Sequence, residues 1–358
     1  MIWLGLAMGA ALALICASPV LADASDDIDT AAKAFETERP DEALALATRD
    51  LADSNLRPEE RATFLAIRGA VLVGKGRLSD AERDFGDALR IAPDRDARKT
   101  VIDYANGAYS GLGSKLFDAE KWDDAAASYA IAANYDPSDE DDWLWQARAH
   151  LANIEFDKAI AECNRLIAID NTAAKAYLLK ASVEELKFDY DGALLDYGTA
   201  IRIDPKYTGA LVWRGRLHVM RGQFELGRRD LAAALSIEPD DITAVLWTHI
   251  LHMKTNQDDM AWLGKAYGRL SADRWPAPAL AYFLRRKTGD QLVDTALHSK
   301  NTIRDHQKCD GWFYLGEDAL RKDDKDKARA LFQRTVKGCT AEDFEWDAAA
   351  AELARMPS

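Results

Sequence analysis

The sequence predicts an all-α protein built as a solenoid of antiparallel helical hairpins. Four similar phrases, ALRIAPD, AIAANYDPSD, AIRIDPKY and ALSIEPDD, contain Pro93, Pro137, Pro205 and Pro239. The steps from Pro137 to Asn171, then to Pro205 and Pro239, are each 34 residues, a period typical of stacked helix-turn-helix units. Small residues recur where two helices of a unit would cross, and an aromatic residue recurs between them.

Composition and charge narrow the classes of partner. The chain has 358 residues, 48% of them hydrophobic, and no long Ser or Gly tract divides it, so one elongated array is expected. Its formal net charge of -14 would repel the phosphates of nucleic acids and of anionic lipids. We therefore expect protein partners and no nucleic acid.

The first residues predict export. Residues 1–22 contain no charged side chain, and small residues occupy positions minus three and minus one relative to a cleavage point after Ala22, namely Val20 and Ala22 itself. This pattern suits a signal peptide cleaved after Ala22, which would place the mature chain in the periplasm. No Lys or Arg precedes the run, so an uncleaved anchor on the periplasmic face of the inner membrane is the alternative.

The repeats match the tetratricopeptide pattern. In the first clear copy, Gly69 and Ala81 take small positions and Phe85 takes the aromatic position between the helices. The pattern is also strong in residues 106–139 and 174–207. The resemblance to tetratricopeptide-repeat proteins implies a right-handed superhelix of hairpins that binds other proteins and is not an enzyme.

The register of the repeats divides the chain into segments. The phrase DARKTVIDYANG indicates a lengthened first helix in one repeat, and Trp275-Pro276-Ala277-Pro278 interrupts the array. The predicted segments are a signal peptide at 1–22, a degenerate hairpin at 25–57, the repeat array at 62–270, a connector of short helices at 271–308, and a repeat hairpin with a closing helix at 309–356.

The last part of the chain has a closer resemblance. RWPAPALAYFLRR, TGDQLVDTAL and CDGWFYLGEDAL occur in the order found in NlpI-type tetratricopeptide proteins of the bacterial envelope, over residues 272–356. The resemblance implies a non-catalytic adaptor that brings a processing protease to peptidoglycan hydrolases and that forms homodimers. This chain lacks a lipobox and has a longer N-terminal array, so the identity of the partner does not transfer.

A ladder of apolar residues on the first helices predicts a binding groove. Trp145, Leu179, Trp213 and Trp247 are each 34 residues apart. The predicted groove residues are Trp145, Arg148, Leu178, Leu179, Trp213, Arg216 and Trp247. Trp would supply contact area and Arg would bind an acidic group or a C-terminal carboxylate. The alternative is that the tryptophans fill gaps between neighbouring hairpins.

The cysteines predict one disulfide and one core thiol. Cys309 is expected to open the first helix of the last hairpin and Cys339 to follow the second, which would bring the two side by side. Closing this loop would restrict the unfolded chain by about 3 to 4 kcal/mol. Cys163 falls where Tyr129 and Tyr197 stand in neighbouring repeats, which predicts a buried thiol.

No sequence pattern indicates catalysis, a cofactor or a metal. His249 and His252 share a helical face at core positions without a third ligand at zinc-like spacing, so core packing is expected. The motifs G-x-S-x-G, Walker A and G-x-G-x-x-G are absent. The sequence therefore predicts a scaffold or adaptor, and the alternative is a structural subunit of a secretion, pilus or cell-wall assembly.

Overall fold

The computed structural model describes residues 24–271, 274–297, 304–339 and 344–356. Within these ranges the chain forms 19 helices and no strand, which confirms the predicted all-α class of helical hairpins. The predicted signal peptide at 1–22 lies outside the described residues. None of the described helices is both long enough and apolar enough to cross a membrane.

The helices fall into two compact units. The first takes the described residues up to Ala119 together with Ile131–Pro137, and the second takes Glu120–Ala130 and the residues from Ser138 onward. The first unit contains α1 (Ala24–Glu36), α2 (Pro40–Asp50), α3 (Pro58–Gly74), α4 (Leu78–Ile91) and α5 (Arg95–Asp118). The boundary between the units divides α6 (Trp122–Tyr135).

The first unit is held by close helix crossings. A Cβ atom on Gly69 of α3 would lie 2.8 Å from the Phe85 ring of α4, so only glycine fits this crossing. The Phe85 ring lies in turn 6.3 Å from the Tyr109 ring of α5. The small and aromatic positions of the repeat therefore pack as the sequence predicts.

Helix α5 is longer than the other first helices of the repeats. It has 24 residues, which confirms the lengthened helix predicted from DARKTVIDYANG. Its start is fixed by Asp94, whose carboxylate accepts a hydrogen bond from the Ala97 amide at 2.9 Å. Val101, Ala105 and Tyr109 form its buried stripe.

The second unit continues the hairpins. Its repeat helices are α7 (Glu140–Ala152), α8 (Phe156–Ile169), α9 (Ala174–Leu186), α10 (Tyr190–Ile203), α11 (Thr208–Met220), α12 (Phe224–Ile237), α13 (Ile242–Lys254) and α14 (Met260–Tyr267). The short helices α15 (Ala277–Phe283) and α16 (Gly289–Leu297) follow, and then α17 (Arg304–Arg321), α18 (Lys325–Gly338) and α19 (Phe344–Arg355). Each of α7, α9, α11 and α13 is the first helix of a repeat.

The C-terminal hairpin repeats the crossing of the first unit. A Cβ atom on Gly316 of α17 would lie 2.5 Å from the Phe332 ring of α18. The expected position of Cys309 needs correction, because α17 begins at Arg304 and Cys309 lies inside the helix. Cys309 is still opposite Cys339, which follows α18, and the two sulfur atoms are bonded.

Ion pairs that share one spacing join the two helices of three repeats, and they were not among the features predicted from the sequence. The pairs are Arg68 with Asp84, Lys180 with Asp196, and Arg214 with Asp230, with N to O distances of 2.6 to 2.7 Å. In each pair the basic residue directly precedes the small residue of the first helix, and the aspartate follows 16 positions later. This spacing is a signal that the sequence carries.

Candidate protein-binding site

The four residues of the predicted apolar ladder differ in how much of each side chain is exposed to solvent. Trp145 on α7 is 38% exposed, whereas Leu179 on α9 is 9% and Trp247 on α13 is 1% exposed. Trp213 on α11 is half-buried. The ladder is therefore open at α7 and closed at α13.

A column of stacked side chains forms the open end. The Arg148 guanidinium lies 4.8 Å from the centroid of the Trp145 ring. On the same indole, the Tyr129 ring stacks at 6.2 Å with an interplanar angle of 18°. Tyr129 is buried while Trp145 and Arg148 are exposed, so the buried phenol supports an exposed cation and indole pair.

Arg148 has no acidic partner in the part of the chain that the structure describes. It is exposed, and its contact with Trp145 is a cation-π contact rather than an ion pair. A guanidinium offers five N–H donors in a planar fork that matches a carboxylate. This end of the ladder can therefore bind an acidic group without breaking an existing ion pair.

The groove residues predicted on α9 and α11, Leu178, Leu179 and Trp213, pack between neighbouring hairpins. Leu179 joins a buried cluster with Leu144 and Cys163. Leu178 and Trp213 are half-buried and pack against Tyr197 and its neighbours. These three residues contribute partly exposed apolar surface at most, so the alternative of gap filling describes them better than an open groove does.

Arg216 and Trp247 require a correction, because they were expected to line an accessible groove. Arg216 has no exposed surface. It forms an ion pair with the Glu185 carboxylate and lies 5.2 Å from the Trp213 ring and 5.6 Å from the Trp247 ring. Burial alone would lower the pKa of Arg216, but Glu185 and the further negative charge of Glu345 together more than offset burial and raise this pKa. Neither Arg216 nor Trp247 is available to a partner in this conformation.

The chain's own C-terminal helices cover these two residues. Phe313 of α17 stacks on Trp247 with ring centroids 6.1 Å apart. The ring centroid of Trp346 on α19 lies 5.7 Å from that of Phe188, which is two residues after the end of α9. The Arg355 guanidinium at the end of α19 donates to the Met220 carbonyl at the end of α11. Helices α17 and α19 therefore pack against the repeats from the end of α9 to α13, and we call these two helices the C-terminal cover.

A cluster of buried charged side chains joins α13 to the two helices of the C-terminal cover. The Lys254 ammonium at the end of α13 lies 2.8 Å from the Glu317 carboxylate of α17 and 2.9 Å from the Glu352 carboxylate of α19. Arg355 lies 2.6 Å from Glu352. These groups line a cavity of about 330 Å³ between the helices. Burial raises the pKa of Glu317, although the nearby Lys254 charge opposes the rise.

The remaining cysteine and the histidines lie in the core. Cys163 is buried, and burial raises the pKa of its thiol to about 12, which keeps the thiol protonated at neutral pH. His249 is buried, and the Asp259 carboxylate lies 2.8 Å from its Nδ1 atom and 2.9 Å from Nδ1 of the half-buried His252. Asp259, a residue not predicted from the sequence, contacts both imidazoles and explains how the core accommodates them.

The two imidazoles change the ionisation of Asp259. Burial by itself would raise the pKa of this carboxyl, but the contacts with His249 and His252 more than offset it and hold the pKa below the ordinary value. Among the described residues, no group of three or more His, Cys, Asp or Glu side chains is arranged to hold a metal ion.

Comparison with known proteins agrees with the repeat pattern. A family model for the tetratricopeptide repeat matches residues 111–174. None of the curated proteins compared with the chain matches it. The similar solved structures are 15 to 22% identical to this chain, so their likeness concerns the fold alone.

Three similar solved structures illustrate that likeness. A tetratricopeptide repeat protein from Parabacteroides merdae ATCC 43184 is 15% identical, over 69% of this chain and 98% of its own, with a TM-score of 0.45. MamA is 22% identical over 48% of this chain and 94% of its own, with a TM-score of 0.35. YrrB, described as a repeat protein with an unusual peptide-binding site, is 22% identical over 53% of this chain and 90% of its own, with a TM-score of 0.33.

Proposed function

We propose that this chain of tetratricopeptide repeats is a non-catalytic scaffold that binds a partner protein on the exposed face of α7. The observation that carries the proposal is the stacked column of Arg148, Trp145 and Tyr129. Trp and Arg are the residue types enriched among the side chains that dominate binding energy at protein interfaces. The column presents both types, preorganised by stacking, on one surface.

The column favours a partner segment that is apolar and acidic. An apolar or aromatic side chain of the partner would pack on the Trp145 indole, and a carboxylate beside it would bind the Arg148 fork. The arrangement at α11 supports this pairing, because the equivalent Arg216 lies over Trp213 and binds the carboxylate of Glu185. At α7 the carboxylate would come from the partner.

The wider role that we propose is an adaptor of the bacterial cell envelope that links a protease to peptidoglycan hydrolases. The resemblance of residues 272–356 to NlpI-type proteins supports this role, and the uncharged run at residues 1–22 supports a periplasmic location. A bonded Cys309 and Cys339 pair suits an oxidising compartment. The alternative is an assembly subunit of an envelope complex, acting through its outer surface or through a homodimer face.

Proximity labelling in the periplasm, followed by mass spectrometry, tests the proposal. The site variant is Trp145→Ala with Arg148→Ala. The matched control is Leu195→Ala with Arg202→Ala, which removes an exposed apolar residue and an exposed arginine from α10. Circular dichroism and a thermal melt establish that both variants fold.

The proteins that are lost in each variant decide between the roles. We expect a set of labelled proteins that disappears in the site variant and persists in the control. A set that contains a protease together with peptidoglycan hydrolases supports the adaptor role. Recovery of one assembled complex that is indifferent to Trp145 and Arg148 would instead support the assembly role and overturn the site.

A further inference from the structure

A basic cavity lies between the loop that follows α15 and the end of α17, and none of the residues that line it is on α7. Its volume is about 300 Å³. Five cationic side chains and one carboxylate stand in its walls: Arg285, Arg286, Lys287, Arg321, Lys322 and Asp318. The excess of positive charge is local, because the whole chain has a formal net charge of -14.

The single carboxylate in the cavity already has its partners. Asp318 accepts a hydrogen bond from the Tyr282 hydroxyl at 2.6 Å and from the Arg321 guanidinium at 2.9 Å, and the Lys322 ammonium also bonds to it. Burial would raise the pKa of Asp318, but these donors more than offset it and hold the pKa below its ordinary value. Asp318 is therefore ionised at neutral pH and cannot also neutralise the cations of the loop.

The three cations of the loop have no carboxylate partner among the described residues. The Arg286 guanidinium lies 4.9 Å from the Tyr267 ring. The Lys287 ammonium donates to the Thr295 hydroxyl at 3.1 Å. The backbone amide of Arg285 donates to the Tyr282 carbonyl at 2.8 Å, but the exposed Arg285 guanidinium makes neither a hydrogen bond nor an ion pair within the described part of the chain.

Three consecutive cations could simply be solvated, as exposed charges usually are. Two observations distinguish this loop. It faces a second basic pair, Arg321 and Lys322, across a concave space, and Asp318 orients both members of that pair. Like charges that share a cavity raise the potential within it, which favours a bound anion over separate solvation.

We propose that this cavity binds a compact oxyanion with two or more negative charges, of the phosphate or small polycarboxylate class. Arg285 and Arg286 offer planar forks to two oxygen atoms, and Lys287 supplies a third donor. The volume is at the lower end of the range of small-ligand pockets, about 300 to 1,000 Å³, which suits a small anion or the charged end of a larger molecule.

The same chemistry could come from a free anion or from a phospholipid headgroup. The net charge of the chain would oppose its approach to an anionic bilayer, so the free anion is the source that we expect. Isothermal titration calorimetry with pyrophosphate and with citrate tests the free source. Co-sedimentation with phosphatidylglycerol vesicles, compared with phosphatidylcholine vesicles, tests the headgroup.

The test variant is Arg285→Ala with Lys287→Ala, in the full mature chain. Both residues are in a loop, so a thermal melt should show an unchanged fold. The matched controls are Arg202→Ala with Arg228→Ala, two exposed arginines on α10 and α12, and the α7 variant Trp145→Ala with Arg148→Ala. We expect the test variant to weaken pyrophosphate binding about tenfold or more, as the loss of charge-assisted hydrogen bonds implies, and both controls to bind as the wild type does.

Each result has a definite meaning. Binding of pyrophosphate or citrate that depends on Arg285 and Lys287 supports the site. Binding only to phosphatidylglycerol vesicles, with the same dependence, supports the chemistry and assigns its source to a headgroup. Absence of binding to all probes, or binding that the test variant leaves unchanged, overturns the proposal. Since the α7 variant is a separate control, failure here would not bear on the proposed protein-binding face.

Discussion

Phe313 stacks on Trp247, with 6.1 Å between the ring centroids and an interplanar angle of 30°. Trp247 is on the first helix of a repeat and Phe313 is on α17, so the contact joins the repeat face to the C-terminal hairpin. The equivalent residue on α7, Trp145, is exposed. One position of the repeat therefore has two uses, as a surface at α7 and as a core contact at α13.

Replacing Phe313 with Ala should loosen the C-terminal cover. Truncating a buried phenylalanine typically costs about 3 to 5 kcal/mol, because it removes buried apolar area and leaves a cavity. The emission of buried tryptophan should also shift to longer wavelength as Trp247 meets water. Urea unfolding followed by tryptophan fluorescence measures both effects, and Leu195→Ala is the exposed control, expected to change stability by at most about 0.5 kcal/mol. A loss below about 1 kcal/mol would mean that the stacking contributes little.

Removing the Glu185 carboxylate should leave the buried charge of Arg216 without its ion-pair partner. Because Arg216 is fully buried, Glu185→Ala should cost about 3 to 5 kcal/mol, as expected for breaking one partner of a buried ion pair. Combining it with Arg216→Met should recover part of that loss, because no unpaired charge would remain. A double-mutant cycle from chemical unfolding measures the coupling. Additive losses would contradict the pairing, and the same cycle on the exposed pair Glu225 and Arg228 should show no measurable coupling.

The Asp259 cluster should make stability depend on pH. The pKa of Asp259 is held below its ordinary value, so its stabilisation is fully present above the unfolded-state pKa of about 3.9 and is lost as the pH falls through the folded-state pKa. Asp259→Asn should cost about 1 to 3 kcal/mol at neutral pH. Unfolding free energies of the wild type and the variant should converge below about pH 4.

The control for that comparison is Asp240→Asn, which changes an exposed carboxylate in the turn before α13. Its difference from the wild type should be small throughout the pH range. A difference between Asp259→Asn and the wild type that stays constant down to the acid transition would contradict the account of the two imidazoles.

Loss of the disulfide should destabilise the last hairpin. Cys309 and Cys339 are separated by 30 residues, so Cys309→Ser with Cys339→Ser should cost about 3 to 4 kcal/mol in the loop-entropy model. Wild type unfolded in the presence of a reductant should show the same loss. If the reductant has no effect on the wild type, or if mass spectrometry finds both thiols free, the bond is absent from the protein in solution.

The periodic part of the fold could be predicted from the sequence. Residues 34 apart meet equivalent neighbours, so the pattern identified the packing of Gly69 against Phe85, and it also placed a repeat hairpin within 309–356, where the structure packs Gly316 against Phe332 in the same way. The same argument identified the unusual length of α5, because an insertion shows as a departure from the period.

The cover over the repeat face could not be predicted in this way. The period specifies which residues face the groove, as it did for Trp247, but Phe313 lies 66 positions later and outside the regular array. The contact of Asp259 with the two imidazoles could not be predicted for a related reason, since Asp259 lies in an irregular segment after α13. Contacts between a repeat and a non-repeating segment leave no periodic signal.

If partners bind at the Arg148 and Trp145 column, photocrosslinking in living cells should show it directly. A benzophenone amino acid replaces Asp141, an exposed residue one helical turn before Trp145 on α7, so that both residues of the column stay in place, and the control position is Arg202. We predict discrete crosslinked partner bands at Asp141 that are absent at Arg202 and that Trp145→Ala suppresses. Identical bands at both positions, or none at Asp141 while the protein is folded and expressed, would contradict binding at this column.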